Sequence, residues 1–332
     1  QEPGAYVSKR SEHLVIKKDG KELTKAPLAA VRQLVVLVNV QVSTHALATL
    51  ACHDIPVSYL TGYGRFVGTF QPAPTKNVML REDQYRCFQE PASQLQLAKA
   101  IVQAKISNQR TLLMRSLRAS GENQGSDEPA AQLMLDLIPR IDAASSLDTL
   151  RGLEGQVAAL YFAEFHRFLK AQPPGRSFDF RHRNRRPPRD PVNALLSFAY
   201  ALLVKDCFSA LCTVGFDPYC GFYHTGRYGR PSLALDLMEE FRAILADSVV
   251  LYLINNRVVT PQDFLIWREA CQLNEAGRAK FFRCYEDRQA TEVRDPLYGY
   301  TMSYSRMLEV QARMLAAFVR GDLPDYVGFQ VR

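Results

Sequence analysis

The sequence offers no cysteine framework. Its seven cysteines, Cys52, Cys87, Cys207, Cys212, Cys220, Cys271 and Cys284, are odd in number and include no C-x-x-C pair. A disulfide scaffold and a sulfur-bound zinc or iron site are thereby excluded, and reduced, buried thiols in a cytoplasmic protein are expected. Long apolar runs are also scarce. The stretches QLVVLVNV and DSVVLYLINN fall short of the roughly 20 residues that span a bilayer. The sequence shows no signal peptide and no lipidation box, so no membrane partner is expected. Familiar catalytic signatures are missing as well. There is no Ser-His-Asp order, G-x-S-x-G, Walker loop or H-E-x-x-H, and no G-x-G-x-x-G feeds a helix. Internal repeats and low-complexity tracts are absent too.

What is present is a long, well-stocked and basic chain. Its 332 residues suggest two domains, and a 47% hydrophobic content supports a sizeable core and excludes wholesale disorder. A net charge of +7 with pI near 9.0 favours an anionic partner, nucleic acid or a membrane surface.

The expected fold class is α+β. Residues 1–80 read as a small β domain, sandwich-like with one helix. Asp19-Gly20 separates two strand-like runs as a hairpin turn does. LVVLVNV, PVSYLT and GRFVGTF supply further strands, and Ser43 caps a helix in STHALATLACHD. QPAPTKN then connects the domains. Residues 81–332 carry the helical period and predict an all-α domain. One or two helices run through YRCFQEPASQLQLAKAIVQAKISNQRTLLMRSLRAS, another lies around Ala131–Ile138, and a long one passes through Glu154 to about Lys170. ASGENQGSDEP is a polar loop. KAQPPGRSFDFRHRNRRPPRDP is too rich in proline for a helix. Asp190-Pro191 starts a central apolar helix that Gly215 ends. Ser232 caps the next helix, which runs through Asn255–Asn256. Thr260-Pro261 starts another, and a last helix covers Tyr304–Arg320.

The chemistry concentrates in HTGRYGRPSLALDLMEEFR. His224, Asp236 and Glu239 lie close together there, and Glu154 comes from a separate helix in LRGLEGQVAALYF. Asp236 and Glu239 are three apart, hence on one helical face. Oxygen and nitrogen donors without sulfur suit a hard or borderline divalent cation. Helix-dipole acids and a salt bridge from Glu154 to Arg242 are the ordinary alternatives. Arg227, Arg230 and Arg242 surround these residues, and guanidinium groups suit phosphate. RHRNRRPPR adds Arg183, Arg185 and Arg186 on a non-helical strip fit for phosphate contacts, where a solvated charge run is the plain reading. Tyr219, Tyr223 and Tyr228 offer faces for base stacking or packing. Metal and phosphate recognition in one place point to phosphodiester chemistry on nucleic acid.

At these residues the chain resembles the CRISPR-associated integrase family Cas-one, which acts in spacer acquisition. The likeness runs along essentially the whole chain. Its strongest parts are AKISNQRTLL, LRGLEGQVAALYF, RRPPRDPVNALLSFAYALL, GFDPYCGFYHTGRYGRPSLALDLMEEFR and SYSRMLEVQARMLAAFVRGDLPDY. It implies a β domain for dimerisation and partner docking, followed by a helical catalytic domain. It implies metal ligands at Glu154, His224 and Glu239 and a further catalytic acid at Asp236. It also implies basic groups at Arg227 or Arg230 and at Arg242. Glu239 stands where some members carry aspartate. The cofactor implied is Mg²⁺ or Mn²⁺. The partners implied are double-stranded DNA with 3′ ends and the CRISPR repeat, a second copy in a homodimer, and the small protein Cas-two. The reaction implied is transesterification, a 3′-hydroxyl attacking a phosphodiester of the repeat array. Some members are fused to the exonuclease Cas-four, and a chain opening at Gln1 carries the expectation of such an upstream module beside that of a trimmed terminus. Two other readings stand beside this one: a stand-alone metal-dependent endonuclease on branched repair intermediates, and a non-catalytic helical DNA-binding scaffold with its acids paired to arginine.

Overall fold

The computed structural model describes residues 4–331 apart from 32, 38, 54, 62–65, 71–76, 121–127, 171–177, 186, 269 and 295–298. The chain forms two compact units, Gln1–Lys76 and Asn77–Arg332. The expected connection QPAPTKN lies mostly outside the described residues, as do Gly62, Gly64 and most of ASGENQGSDEP.

The first unit is two small sheets around one helix. Strands β1 (Tyr6–Arg10), β2 (His13–Lys18) and β3 (Lys21–Pro27) form an antiparallel meander. Asp19 and Gly20 take φ of 49° and 77° at the second turn, the left-handed pair that a tight hairpin requires. Strand β4 (Leu34–Leu37) begins the second sheet, and β5 (Gln41–Val42) returns to lie parallel to β1, giving the order β3-β2-β1-β5. Helix α1 (Thr44–Cys52) starts at Ser43, whose Oγ accepts from Ala46 N at 3.1 Å. It leads into β6 (Val57–Leu60), parallel to β4, and β7 (Phe66–Phe70), antiparallel to β6. Val7 and Leu14 of one sheet, Val36 and Val57 of the other, and Ala46 and Leu50 of α1 share one core, so the sheets face each other across the helix.

The second unit is helical. Asn77 caps α2 (Val78–Cys87), and α3 (Pro91–Ser120) follows after a break at Phe88–Glu90. Next come α4 (Pro129–Asp142) and α5 (Leu147–Glu164). The α geometry ends at Glu164, short of the expected Lys170, and tightens into a 3₁₀ turn at Phe165–Phe168. Phe165 and Phe168 are buried and lie within ring contact of Tyr161, which a tighter turn permits.

Helix α6 (Pro191–Val214) is the axis of this unit. Asp190 accepts from Asn193 N at 2.8 Å at its start, and Gly215 ends it at φ 112°. By length and composition α6 could cross a membrane, with a mean hydropathy of 1.6, contrary to the expectation that no segment would qualify. The protein buries 67% of that window, so α6 is a core helix.

Helix α7 (Ser232–Phe241), a π-helical turn at Arg242–Asp247 and α8 (Ser248–Asn255) form one continuous rod. Ser232 lies inside α7 and makes no cap hydrogen bond, so the expected cap is displaced to Pro231. Thr260-Pro261 starts only a 3₁₀ turn, closed when Asp263 accepts from Thr260 N at 2.7 Å. A hairpin comes next, β8 (Phe264–Trp267) and β9 (Ala270–Leu273), where a helix was expected. The cap signal was real, but FLIW has no helical period to extend it. Helix α9 (Glu275–Ala290), the ribbon β10 (Glu292–Arg294) and β11 (Thr301–Ser303), and α10 (Tyr304–Val319) complete the unit.

The chain end is threaded back into the core. Glu240 accepts from Tyr326 OH and, at 2.8 Å, from Phe329 N. Asn108 of α3 donates to the carbonyls of Glu240 and Phe329 at 2.7 Å each and accepts from Val331 N at 2.9 Å. Burial pushes the Glu240 carboxyl up to about 7.

Candidate active site

Four elements of the second unit meet at one buried cluster. Helix α3 packs on α5 and α7, and α6 lies against α7. Helix α5 contributes Glu154, the loop after α6 contributes Tyr223 and His224, α7 contributes Asp236 and Glu239, and the π turn contributes Arg242.

Asp236 is fully buried and organises the loop. Its Oδ2 accepts from Phe222 N at 2.9 Å and Tyr223 N at 3.2 Å. Its Oδ1 accepts from His224 N at 2.8 Å and pairs with His224 Nδ1 at 2.7 Å. A carboxylate only accepts, so Nδ1 carries the imidazole proton and Nε2 is left with its lone pair. That lone pair lies 4.0 Å from Glu239 Oε1. The loop approaches Asp236 so closely that a Cβ on Gly221 would lie 2.6 Å from Oδ2, which glycine alone avoids.

Glu154 and Glu239 share a cation. The ammonium of Lys105, 4% exposed, bonds Glu154 Oε1 and lies 2.6 Å from Glu239 Oε2. Tyr223 OH donates to the other Glu154 oxygen at 2.7 Å. Burial and then the Glu154 charge drive the Tyr223 hydroxyl far up, keeping it a donor. Arg242 reaches both oxygens of Glu239 at 3.1 and 3.2 Å. Burial alone would raise the Glu239 carboxyl, but Lys105 and Arg242 outweigh it and hold the group far below the usual range. Behind this, the Arg242 guanidinium lies 4.2 Å over the Tyr200 ring. Tyr200 and Tyr161 donate to the buried Asp247 at 2.6 and 2.8 Å. The π turn thus aims Arg242 at Glu239 and Asp247 at the two tyrosines.

Two carboxylates and one imidazole with its free nitrogen turned toward them match, in donor chemistry, a Mg²⁺ or Mn²⁺ ion. Among the described residues, the three carboxylates Glu154, Asp236 and Glu239 lie with two buried cations, Lys105 and Arg242, so further positive charge would be welcome. As it stands, Lys105 serves as the cation between Glu154 and Glu239, and no group of three His, Cys, Asp or Glu among the described residues closes into a metal cage.

The arginines divide into two kinds. Arg227 is exposed, and Arg230 reaches Thr225 O at 3.3 Å. Arg185 is exposed, yet close enough to the cluster to feel Glu239 and Glu154; burial of its guanidinium, then Arg242, lower its pKa. Arg242, by contrast, is only 8% exposed, so its expected role as a phosphate contact gives way to an ion pair with Glu239. Arg183 is turned inward to Asn193 Oδ1 at 2.7 Å and Ser197 Oγ at 3.0 Å, and burial lowers it to about 10. Arg186 lies outside the described residues. Of the tyrosines, Tyr223 is buried on Glu154, Tyr219 packs edge-on against Phe208, and Tyr228 is fully exposed.

Lys105 was not anticipated. A signal existed: it interrupts the apolar run AIVQAKI one helical turn after Ile101, and so falls on the buried face of α3. The alternative bridge from Glu154 to Arg242 does not form: Glu154 pairs with Lys105, and Arg242 is taken by Glu239.

Fold and cluster define an α+β protein whose helical unit gathers three acids and an imidazole around Lys105 and Arg242. The chain belongs to the family described as CRISPR associated protein Cas1, which matches residues 1–287. It is 42% identical over its whole length to a CRISPR-associated exonuclease Cas4/endonuclease Cas1 fusion of Geobacter sulfurreducens, spanning 60% of that protein. It is 40% identical over 99% of its length to CRISPR-associated endonuclease Cas1 3 of Thermus thermophilus, of which it covers 95%. Among solved structures, a Cas6-RT-Cas1–Cas2 complex superposes at a TM-score of 0.78 with 25% identity, covering 99% of this chain and 35% of that one.

Proposed function

We propose that this chain is a divalent-metal-dependent DNA integrase of CRISPR spacer acquisition. It would join 3′-hydroxyl ends of captured DNA into the repeat array, with endonuclease activity at the same site. The observation that carries the reading is the meeting of Glu154 and Glu239 around one buried positive charge, with His224 Nε2 4.0 Å from Glu239. Family membership and relatives named as endonucleases support it.

Glu154, Glu239 and His224 Nε2 would hold a Mg²⁺ or Mn²⁺ ion. Bound there, the ion supplies Lewis-acid stabilisation of phosphodiester exchange. The chain's own residues prepare the site. Asp236 fixes the tautomer and plane of His224, as partners of metal-binding imidazoles do. Tyr223 holds one oxygen of Glu154, and Arg242 holds Glu239. Arg185, Arg227 and Arg230 bind phosphates near the cluster. The 3′-hydroxyl of the incoming DNA serves as nucleophile, so no Ser or Cys triad is required.

The β unit would form the homodimer and dock a Cas2 partner, and a Cas4-type exonuclease would supply trimmed ends. The complex with Cas2 seen for the similar solved chain and the Cas4 fusion in the Geobacter relative motivate these partners.

The test is strand transfer of pre-processed duplex DNA into a repeat-bearing plasmid with Mn²⁺, with and without the small partner. Glu154→Ala and His224→Ala should abolish joining while circular dichroism stays unchanged, and full activity in either would sink the assignment. Joining that never occurs, with cleavage of branched DNA retained, would favour the stand-alone endonuclease. The Glu239–Arg242 pair is what a non-catalytic scaffold would also show, and a Mn²⁺ titration without binding would favour that.

A further inference from the structure

The hairpin β8–β9 carries a surface that the cluster does not use. Leu265, Ile266 and Trp267 follow one another and are 52%, 68% and 76% exposed. A strand normally buries alternate residues; here both faces of the tip are bare. Three consecutive exposed apolar residues weaken solubility and do nothing for the core, so they call for a binding role. The base of the hairpin, in contrast, is firmly seated. Phe264 is buried and packs edge-on to Phe178 at 5.8 Å, and Leu273 is buried.

The position of the hairpin says what the tip meets. Cys271 N donates to Pro188 O at 2.7 Å, which ties the hairpin to the end of the arginine strip. Arg189, next to that proline, is exposed, and so is Arg181 further along. Arg268 stands at the turn itself, exposed and at φ 53°. An indole and two aliphatic side chains are therefore exposed beside Arg268, on a hairpin tied to the arginine strip. An apolar protein surface would have to strip water from those charges without pairing them. A nucleic acid satisfies both halves, phosphates for the arginines and base faces for the indole.

We propose that the β8–β9 tip is a DNA contact in which Trp267 stacks on an exposed base or terminal base pair, with Leu265 and Ile266 beside it, while neighbouring arginines hold the backbone. The proposal rests on the reading that this chain acts on DNA, and it adds a contact outside the acid–imidazole cluster.

Trp267 is the only tryptophan of the chain, so its emission reports on this spot without labelling. Duplex DNA with short 3′ single-stranded overhangs is titrated into the full chain while tryptophan emission is followed. The anisotropy of an end-labelled copy of the DNA is followed in parallel. Emission should be strongly quenched along the same binding curve as the anisotropy. Trp267→Ala should weaken the DNA Kd by about tenfold, at the lower end of base–aromatic stacking, and leave the salt dependence unchanged because no phosphate contact is lost. Trp267→Phe, which keeps a ring, should restore most of the affinity. All variants should melt as the wild type does, since the side chain is exposed. DNA binding by anisotropy with unchanged emission, or an alanine variant of wild-type affinity, overturns the proposal and leaves the DNA reading intact. Emission that responds to protein concentration and not to DNA assigns the tip to a protein contact and overturns it equally. Absence of any anisotropy change removes the DNA reading, and the proposal with it.

Discussion

At the scale of single residues, Lys105 is the side chain on which the cluster turns. Its ammonium compensates Glu154 and Glu239 in a site that is nearly closed to water. Lys105→Met keeps the length of the chain but takes the shared cation from Glu239, which keeps Arg242, and from the partly exposed Glu154, which keeps Tyr223, so unfolding free energy should fall by less than the about 3–5 kcal/mol of a fully broken buried pair. Added Mn²⁺ should then raise the melting temperature of Lys105→Met more than that of the wild type. Equal metal-induced shifts in thermal unfolding would show that the ammonium and the metal do not share a place. Asp236 acts through others. Asp236→Ala removes the acceptor for three backbone N–H groups and for His224 Nδ1. Each buried donor left unpaired costs about 1–3 kcal/mol, so urea should unfold the variant well before the wild type. Nitrogen-15 NMR should show His224 losing its fixed tautomer. In the strip, Arg185 and Arg183 should part company. Arg185→Ala should reduce the salt slope of DNA binding by about 0.9, one phosphate contact on a duplex. Arg183→Ala should leave the slope alone and lower stability, because its guanidinium bonds Asn193 and Ser197.

At the scale of elements, the rod from Ser232 to Asn255 and helix α3 are pinned together by the chain end. Asn108 joins Glu240, Phe329 and Val331 through three hydrogen bonds inside the core. Asn108→Ala removes a donor from two carbonyls and the acceptor from one N–H. Stability should drop by about 3 kcal/mol or more, and limited proteolysis should release the residues after Tyr326 before it cuts elsewhere. Unchanged proteolysis would show that Tyr326 and Phe329 hold the tail by packing alone. Most of the caps were legible at this scale. Ser43, Asp190-Pro191 and Gly215 announce helix ends through local hydrogen bonding and φ, which do not depend on the rest of the molecule. Ser232 and Thr260-Pro261 carry the same signals, yet the first lies inside its helix and the second opens only a 3₁₀ turn before a hairpin. The path of the chain beyond a cap depends on where its apolar residues can pack. FLIW finds packing only for Phe264.

At the scale of the molecule, the first unit ends its two sheets in strands β3 and β7, whose side chains differ in character. Strand β3 is an exposed edge guarded by Lys21 and Lys25, whereas edge strand β7 presents Val67 at 65% exposure and Phe70 at 39%. The proposed homodimer should therefore use β7. Light scattering at micromolar concentration should give twice the chain mass, and Val67→Lys should shift it toward monomer. A monomeric wild type would count against the dimer. The thiols give a second check on burial. Cys52 is exposed, whereas burial pushes Cys207 well up and Cys271 to about 12. Near pH 8 a thiol reagent should modify Cys52 quickly and these two only after unfolding.

The sequence by itself marked the two-part architecture and the four residues that meet in the cluster. Hydrophobic period changes from two to that of a helix near Leu80, and local caps and turn residues carry their own geometry. His224, Asp236, Glu239 and Glu154 stand out because charged groups among leucines, glycines and aromatics need partners. Which partner each one takes was decided by the tertiary structure alone. Lys105 lies 49 residues from Glu154 in the chain, and Tyr223 lies 69 from it. No local pattern encodes such distances; they arise from how α3, α5 and α7 pack. The same packing turned Arg242 and Arg183 inward and left Arg185 and Trp267 outside. Guanidinium groups read alike in a sequence, and burial, which only the folded chain defines, separates those that hold the site from those exposed to meet the proposed DNA.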